Sequence, residues 1–277
     1  MRGNAALADA HVTLALYGAV APDSAAPAAL AAAETAYALG GAEAEALTAR
    51  GCAHAIFRRA WTESAADFER ALTLKPHYAT AYQWYAINCL APQGRLDEAA
   101  SRLDAARELD PLSPAITLSI GLLHHFAGRE PQAIAAFDGL LDMDSRFAMA
   151  HYFRGQALLH QERLEEAAVA LTRAVELAGE SPETLAYLGY ALALQGKTME
   201  AQAIRKRLVD RSRERYVSPV LLAQMDVGLG DLDSAYEELE RAVAGRAVEL
   251  IWLPVRPSFE RLRDDRRYPG FVGRLAG

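Results

Sequence analysis

Lysine is nearly missing from this chain of 277 residues: Lys75, Lys197 and Lys206 are the only three, and the formal net charge is -7. Gripping nucleic acid by its phosphates needs a basic footprint, so no nucleic acid is expected to bind this chain alone. Cysteine is scarce as well. Cys52 and Cys89 are too few for a disulfide framework and are expected as reduced, buried thiols. No apolar run approaches the roughly 20 residues of a membrane span, so no membrane partner is expected. The run at 12–21 is the nearest approach to a secretory signal, but Asp9 and His11 interrupt it and it fits a helix of a packed hairpin better. A cytoplasmic location is the resulting expectation.

Catalytic and metal-binding patterns are also wanting. There is no His-Glu-x-x-His, Gly-rich phosphate loop, nucleophile elbow or Cys-x-x-Cys. His124 and His125 with Glu130 lack the spacing that puts ligands on one helical face, and packing is the expected role. Asp138, Asp142 and Asp144 cluster at a helix end without the glycine-containing loop of a calcium site. No catalytic residue, metal or cofactor is therefore expected. An enzyme or small-molecule sensor with a site between repeats is the alternative of another class.

What the chain has is a repeat. Ala99, Ala133, Ala167, Ala201 and Ala235 stand 34 residues apart in unbroken succession. Glycine keeps the same step: Gly121, Gly155 and Gly189 recur at 34, and Gly94, Gly128, Gly196 and Gly230 share a second phase in which only Glu162 departs. A fixed period of this length marks a helical solenoid, in which each unit packs only on its neighbours. Each alanine opens the second helix of a hairpin about five residues after a turn glycine, as in Gly94-Arg95-Leu96-Asp97-Glu98-Ala99. Glycine ends one helix in a left-handed conformation, the acidic residues suit the positive end of the next, and the small residue lets the two approach.

The pattern resembles the tetratricopeptide repeat over nearly the whole chain, best at residues 65–76 and 79–111. Ser145 and Gly179 depart from its closing Pro, Arg205 from its aromatic, and the first unit lacks its Gly turn. The resemblance implies an all-α protein, a right-handed α-solenoid of about seven helix-turn-helix repeats with a C-terminal cap. Units are expected near 10–43, 44–78, 79–113, 114–147, 148–181, 182–215 and 216–249, giving a solenoid over 1–249 and a capping segment over 250–277. The step from Pro76 to Pro111 is 35, which places one inserted residue at 91–93 in the turn between helices. Residues 22–27 are expected as a long turn and 28–39 as an alanine-rich helix.

The same resemblance implies a concave groove lined by the first helix of every unit. Projected at 34-residue steps, its positions are Trp84 and Asn88, Leu118 and Leu122, Tyr152 and Gln156, Ala186 and Tyr190, Val220 and Gln224, with His160 and Tyr187 on the border. Rings and side-chain amides suit an extended peptide or a docked helix; the alternative is that the rings fill core between repeats. Tyr152→Ala with Tyr190→Ala is expected to weaken partner capture and leave helicity intact. Some family members grip a terminal carboxylate with Lys, Arg and Asn, but only Asn4 and Asn88 occur and no lysine falls on the groove, so that clamp is not recovered. Arg207, Arg211 and Arg215 share a helical face that suits an acidic partner.

The tail, with Trp252, Pro254, Pro257 and Pro269, breaks the period, and residues 257–263 read as a last helix. Residues 216–219, the Gly230-Asp231 turn and the ending through 256–268 resemble the carboxyl ends of bacterial signalling proteins, where such repeats follow a winged-helix, cyclase or Ser/Thr kinase domain. The expected function is a non-enzymatic scaffold binding a protein or peptide segment in the groove. One alternative is the regulatory region of a larger signalling protein that lacks its effector domain. Self-association through the alanine-rich first unit is a further expected partner mode.

Overall fold

A computed structural model describes residues 2–16, 18–40 and 43–275; Tyr17, within the apolar run at 12–21, lies outside the described residues. Among the described residues every regular element is helical. Seven hairpins follow one another: α1 (Arg2–Leu16) with α2 (Pro22–Gly40), α3 (Ala44–Ala53) with α4 (Trp61–Leu74), α5 (Ala79–Trp84) with α6 (Leu96–Leu109), α7 (Pro114–Phe126) with α8 (Glu130–Met143), α9 (Ala148–His160) with α10 (Leu164–Ala178), α11 (Pro182–Leu194) with α12 (Thr198–Arg211), and α13 (Pro219–Leu229) with α14 (Leu232–Ala244). Short α15 (Glu260–Arg263) and α16 (Tyr268–Leu275) end the chain. Two compact units result, one of residues up to 119 with 251–255, the other of residues 120–250 with those from 256 on.

The period has a backbone cause. Gly94, Gly128, Gly196 and Gly230 all carry a φ between 67° and 79°, the left-handed turn that ends a first helix. Glu162, the one non-glycine in this phase, adopts the same conformation at φ 58°, and Arg59 does so at 51°. Gly18, at φ 60°, supplies the glycine turn that the first unit was expected to lack. It stands outside the regular spacing, which is why the period does not reveal it.

Close approach explains the small residues. All five ladder alanines are fully buried. Ser64 extends the ladder one step further, fully buried with its Oγ donating to the Gly51 carbonyl at 2.8 Å. A methyl group at Gly121 would lie 2.4 Å from the Phe137 ring, and one at Gly155 would lie 2.6 Å from Leu171. The next residue in the Phe137–Leu171 series is Arg205, which cannot fill an apolar slot. Met225 and Ile204 close over Gly189 instead. Arg205 donates from Nη2 to Asp226 at 2.8 Å and to Glu238 at 3.3 Å, pairing two carboxylates that are almost wholly buried.

The inserted residue lies elsewhere than expected. From Ala86 to Gly94 is eight residues, as from Gly51 to Arg59, whereas Gly121 to Gly128 and Gly155 to Glu162 are seven. π-helical turns at His54–Arg58 and Tyr85–Leu90 take up the extra residue inside the first helix, and 91–93 is an ordinary 3-10 turn. The N-terminal hairpin brings another correction: residues 22–27 are helical, and α2 runs from Pro22 with Pro27 inside it. Pro22 has the φ that a first helical residue needs, and the following alanines sustain the helix past the one hydrogen bond Pro27 removes.

Candidate functional site

The expected groove residues stand on the first helices of their hairpins, or, for Asn88, on the π turn that continues one, and they divide between the two compact units. In the first unit Trp84 is half-buried on α5, whereas Asn88 is buried in the π turn and donates from Nδ2 to Cys52 Sγ at 3.3 Å. Both cysteines are free and buried, and burial pushes the Cys52 thiol well up. From the tail, Trp252 donates its indole N–H to the Ile87 carbonyl at 3.0 Å. That carbonyl lies in the π turn, where the usual helical pairing is displaced.

In the second unit the rings form a chain. Tyr152 and Tyr187 meet edge to face at 5.1 Å, and Tyr187 meets Tyr190 at 6.3 Å. None is open to solvent: Tyr152 and Tyr190 are 7% exposed, Gln156 6%, Tyr187 2% and Gln224 0%. Burial pushes the Tyr190 phenol to about 12. Tyr190 also packs on α13, where a methyl group at Gly228 would come within 2.5 Å of its ring. Part of this set therefore fills core between repeats.

The rest is covered by the chain's own tail. A 3-10 turn at Pro257–Phe259 sits on α9 and α13. Ser258 Oγ donates to Gln224 Oε1 at 3.5 Å and stands 3.4 Å from the Tyr187 hydroxyl, which is left to donate to it. Gln224 Nε2 is buried with no acceptor among the described residues. Phe259 and Leu262 are almost fully buried, while Glu260 and Arg261 remain exposed on the rim.

Beside this turn lies a charge relay that spacing does not suggest. Buried Glu130 accepts from His125 Nδ1 at 2.9 Å and from His160 Nδ1 at 2.6 Å. His160 Nε2 reaches Glu260 of the tail at 3.1 Å. A carboxylate on each ring nitrogen favours the imidazolium, and the hydrogen bond to Glu130, with the second to Glu260, raises His160 to about 8 against the cost of burial. Burial works against ionised Glu130, yet the two histidines hold its carboxyl below the usual range. Sequence proximity groups Glu130 with His124 and His125; the partner that matters as much, His160, is 30 residues away and Glu260 is 100 beyond that. A cavity of about 610 Å³ opens here, bounded by His160, Gln156, Tyr187, Tyr190, Ser258 and Arg261.

The remaining candidates are dispersed. Arg207 pairs with the Glu180 carboxylate, Arg211 donates to the Glu180 carbonyl at 2.7 Å, and Arg215 is exposed. Glu180, with a φ of 62°, brings its own charge to two of the three arginines. Asp138 pairs with Arg154 at 2.6 Å and Asp144 accepts from the Arg146 N–H at 2.9 Å. No group of three or more His, Cys, Asp or Glu side chains is arranged to hold a metal ion among the described residues. No described helix is long and apolar enough to cross a membrane.

The tetratricopeptide repeat family model matches residues 90–145 and 126–183. No curated protein matches the chain in sequence. Among solved structures, a tetratricopeptide repeat protein from Parabacteroides merdae is similar at a TM-score of 0.61 and 13% identity, over 88% of this chain and 97% of that one. A thermophilic protein of the same repeat class from Thermus thermophilus is similar at a TM-score of 0.57 and 20% identity, over 67% of this chain and 98% of that one. Pseudomonas aeruginosa pilF is similar at a TM-score of 0.54 and 16% identity, over 84% of this chain and 99% of that one. At these identities the likeness is one of fold.

Proposed function

Because the chain is a tetratricopeptide repeat protein, we propose that it works as a non-enzymatic scaffold that takes a peptide or protein segment on its first-helix face. The observation that carries this reading is the seating of Pro257–Phe259 on α9 and α13, with Ser258 between Tyr187 and Gln224. A face that accepts a short irregular segment of its own chain has the features a foreign segment needs: rings that bury area with few rotamers lost, and amides that meet backbone or hydroxyl groups. The test is a photo-crosslinking amino acid placed singly at half-buried Trp84, Leu118 and Leu194 on first helices, and at exposed Val169 and Met199 on second helices, in the native cell. Adducts confined to the first-helix positions are expected. Adducts confined to Val169 and Met199 would move the partner to the other face.

Self-association through the N-terminal hairpin is a second reading, favoured by Leu7, Leu14 and Leu39, which stand exposed on α1 and α2. Sedimentation is the measurement: a dimer that Leu39→Asp dissolves supports it, and a monomer at every concentration removes it.

A further inference from the structure

We propose that residues 257–262 are a displaceable internal occupant of the second unit, and that the external partner is a protein segment of the same chemistry: a hydroxyl, a large apolar residue, an acidic residue and, two further on, an aliphatic one. The inference rests on the first-helix face being the binding face. Three observations carry it.

The segment is built as a ligand. Its inner side is Ser258, Phe259 and Leu262, all buried, and its rim contact is one carboxylate, Glu260, set against His160 Nε2 at 3.1 Å. It spans one 3-10 turn and one four-residue helix, α15, too short to hold its shape without the surface beneath.

Its fit is incomplete. The two hydroxyl contacts of Ser258 are long, at 3.4 and 3.5 Å, and the wholly buried Gln224 keeps an amide N–H without an acceptor under the tail. A buried donor left unpaired disfavours the arrangement, and a partner that brings a nearer acceptor gains what the tail forgoes. An approximate fit is what a competitor needs, because a covalently attached segment already enjoys a high effective concentration.

The electrostatics select the sign of the partner. His160 is held by Glu130 on its other nitrogen and presents Nε2–H outward. When Glu260 leaves, that donor meets water or another carboxylate; the fixed carboxylates beside it, Glu130 and Glu162, are acidic, and the cation that lines the site, Arg261, belongs to the tail and leaves with it, so His160 is the anchor for an incoming acidic residue. A single carboxylate in the matching position is therefore favoured.

The experiment uses the full chain and a fluorescent peptide with the sequence of residues 254–266, with anisotropy and hydrogen exchange as readouts. The wild-type chain should bind the peptide weakly. The Glu260→Gln and Glu260→Lys chains, whose own tail is less competitive, should bind it up to about fivefold more tightly, the scale of one exposed ion pair. Residues 257–263 should exchange faster in both variants and faster still when peptide is added, because the peptide takes their place on the face. A peptide carrying the same Glu→Gln change should lose the gain. Unchanged exchange and affinity in both variants would overturn the proposal by making the tail a fixed part of the fold. Faster exchange without peptide binding would overturn the assigned partner chemistry, and a dimer of the Glu260→Lys chain that the peptide fails to dissociate would assign the face to a second copy. The crosslinking test on the first helices reads separately: crosslinks on Val169 and Met199 would defeat the scaffold face even if the tail opens.

Discussion

Glu162 holds a left-handed backbone that four glycines hold elsewhere in the same phase. A side chain there costs about 1 kcal/mol against glycine. Glu162→Gly should therefore raise the stability by about 1 kcal/mol and the melting temperature by a few degrees, and Gly128→Ala should do the reverse; thermal unfolding followed by circular dichroism decides both. His160 gives a pH signature of defined sign. Its folded value of about 8 lies above the ordinary 6.5, so the stability it contributes is complete below pH 6.5 and is lost as the pH rises through 8. The ring is about a third exposed, which limits the effect to about 1 kcal/mol. Unfolding by urea at pH 6 and pH 9 should show that loss in the wild type and a smaller one in Glu260→Gln; equal losses would mean Glu260 has no part in it.

The helix pair is the scale at which the small residues act. A methyl group at Gly121 would meet the rigid ring of Phe137 at 2.4 Å, whereas one at Gly189 would meet the terminal methyl of Met225 at 2.3 Å. Distance alone ranks them together, but a methionine tip moves by rotating single bonds and a buried ring does not. Alanine in place of glycine also favours a helix by roughly 1 kcal/mol. Gly189→Ala should be close to neutral, while Gly121→Ala should lose about 1–3 kcal/mol of stability, read as a lower urea midpoint. The π turns belong to this scale too. The 35-residue step is visible in the chain, but a period counts residues and says nothing about whether an extra one widens a helix or lengthens a turn. The π-helical pairing over Tyr85–Leu90 decides in favour of the helix.

Across the molecule, the tail changes what the repeat face means. Tyr152 and Tyr190 were expected to be removable at the expense of binding alone, but both are buried and linked through Tyr187. Tyr152→Ala with Tyr190→Ala should lower stability by about 3 kcal/mol or more, so denaturant titration rather than partner capture is its direct readout. The helical hairpins, the small-residue ladder and the left-handed turns were determined by the sequence alone. Each depends on a local backbone requirement or on contact between successive helices, and a tandem array repeats such requirements at a fixed spacing. What occupies the first-helix face was decided only by tertiary structure. Trp252 reaches Ile87 from 165 residues away and Glu260 reaches His160 from 100, and the tail follows no period from which those meetings could be counted. A hydrogen bond between segments so far apart depends on where two surfaces come to rest, and no spacing along the chain encodes that.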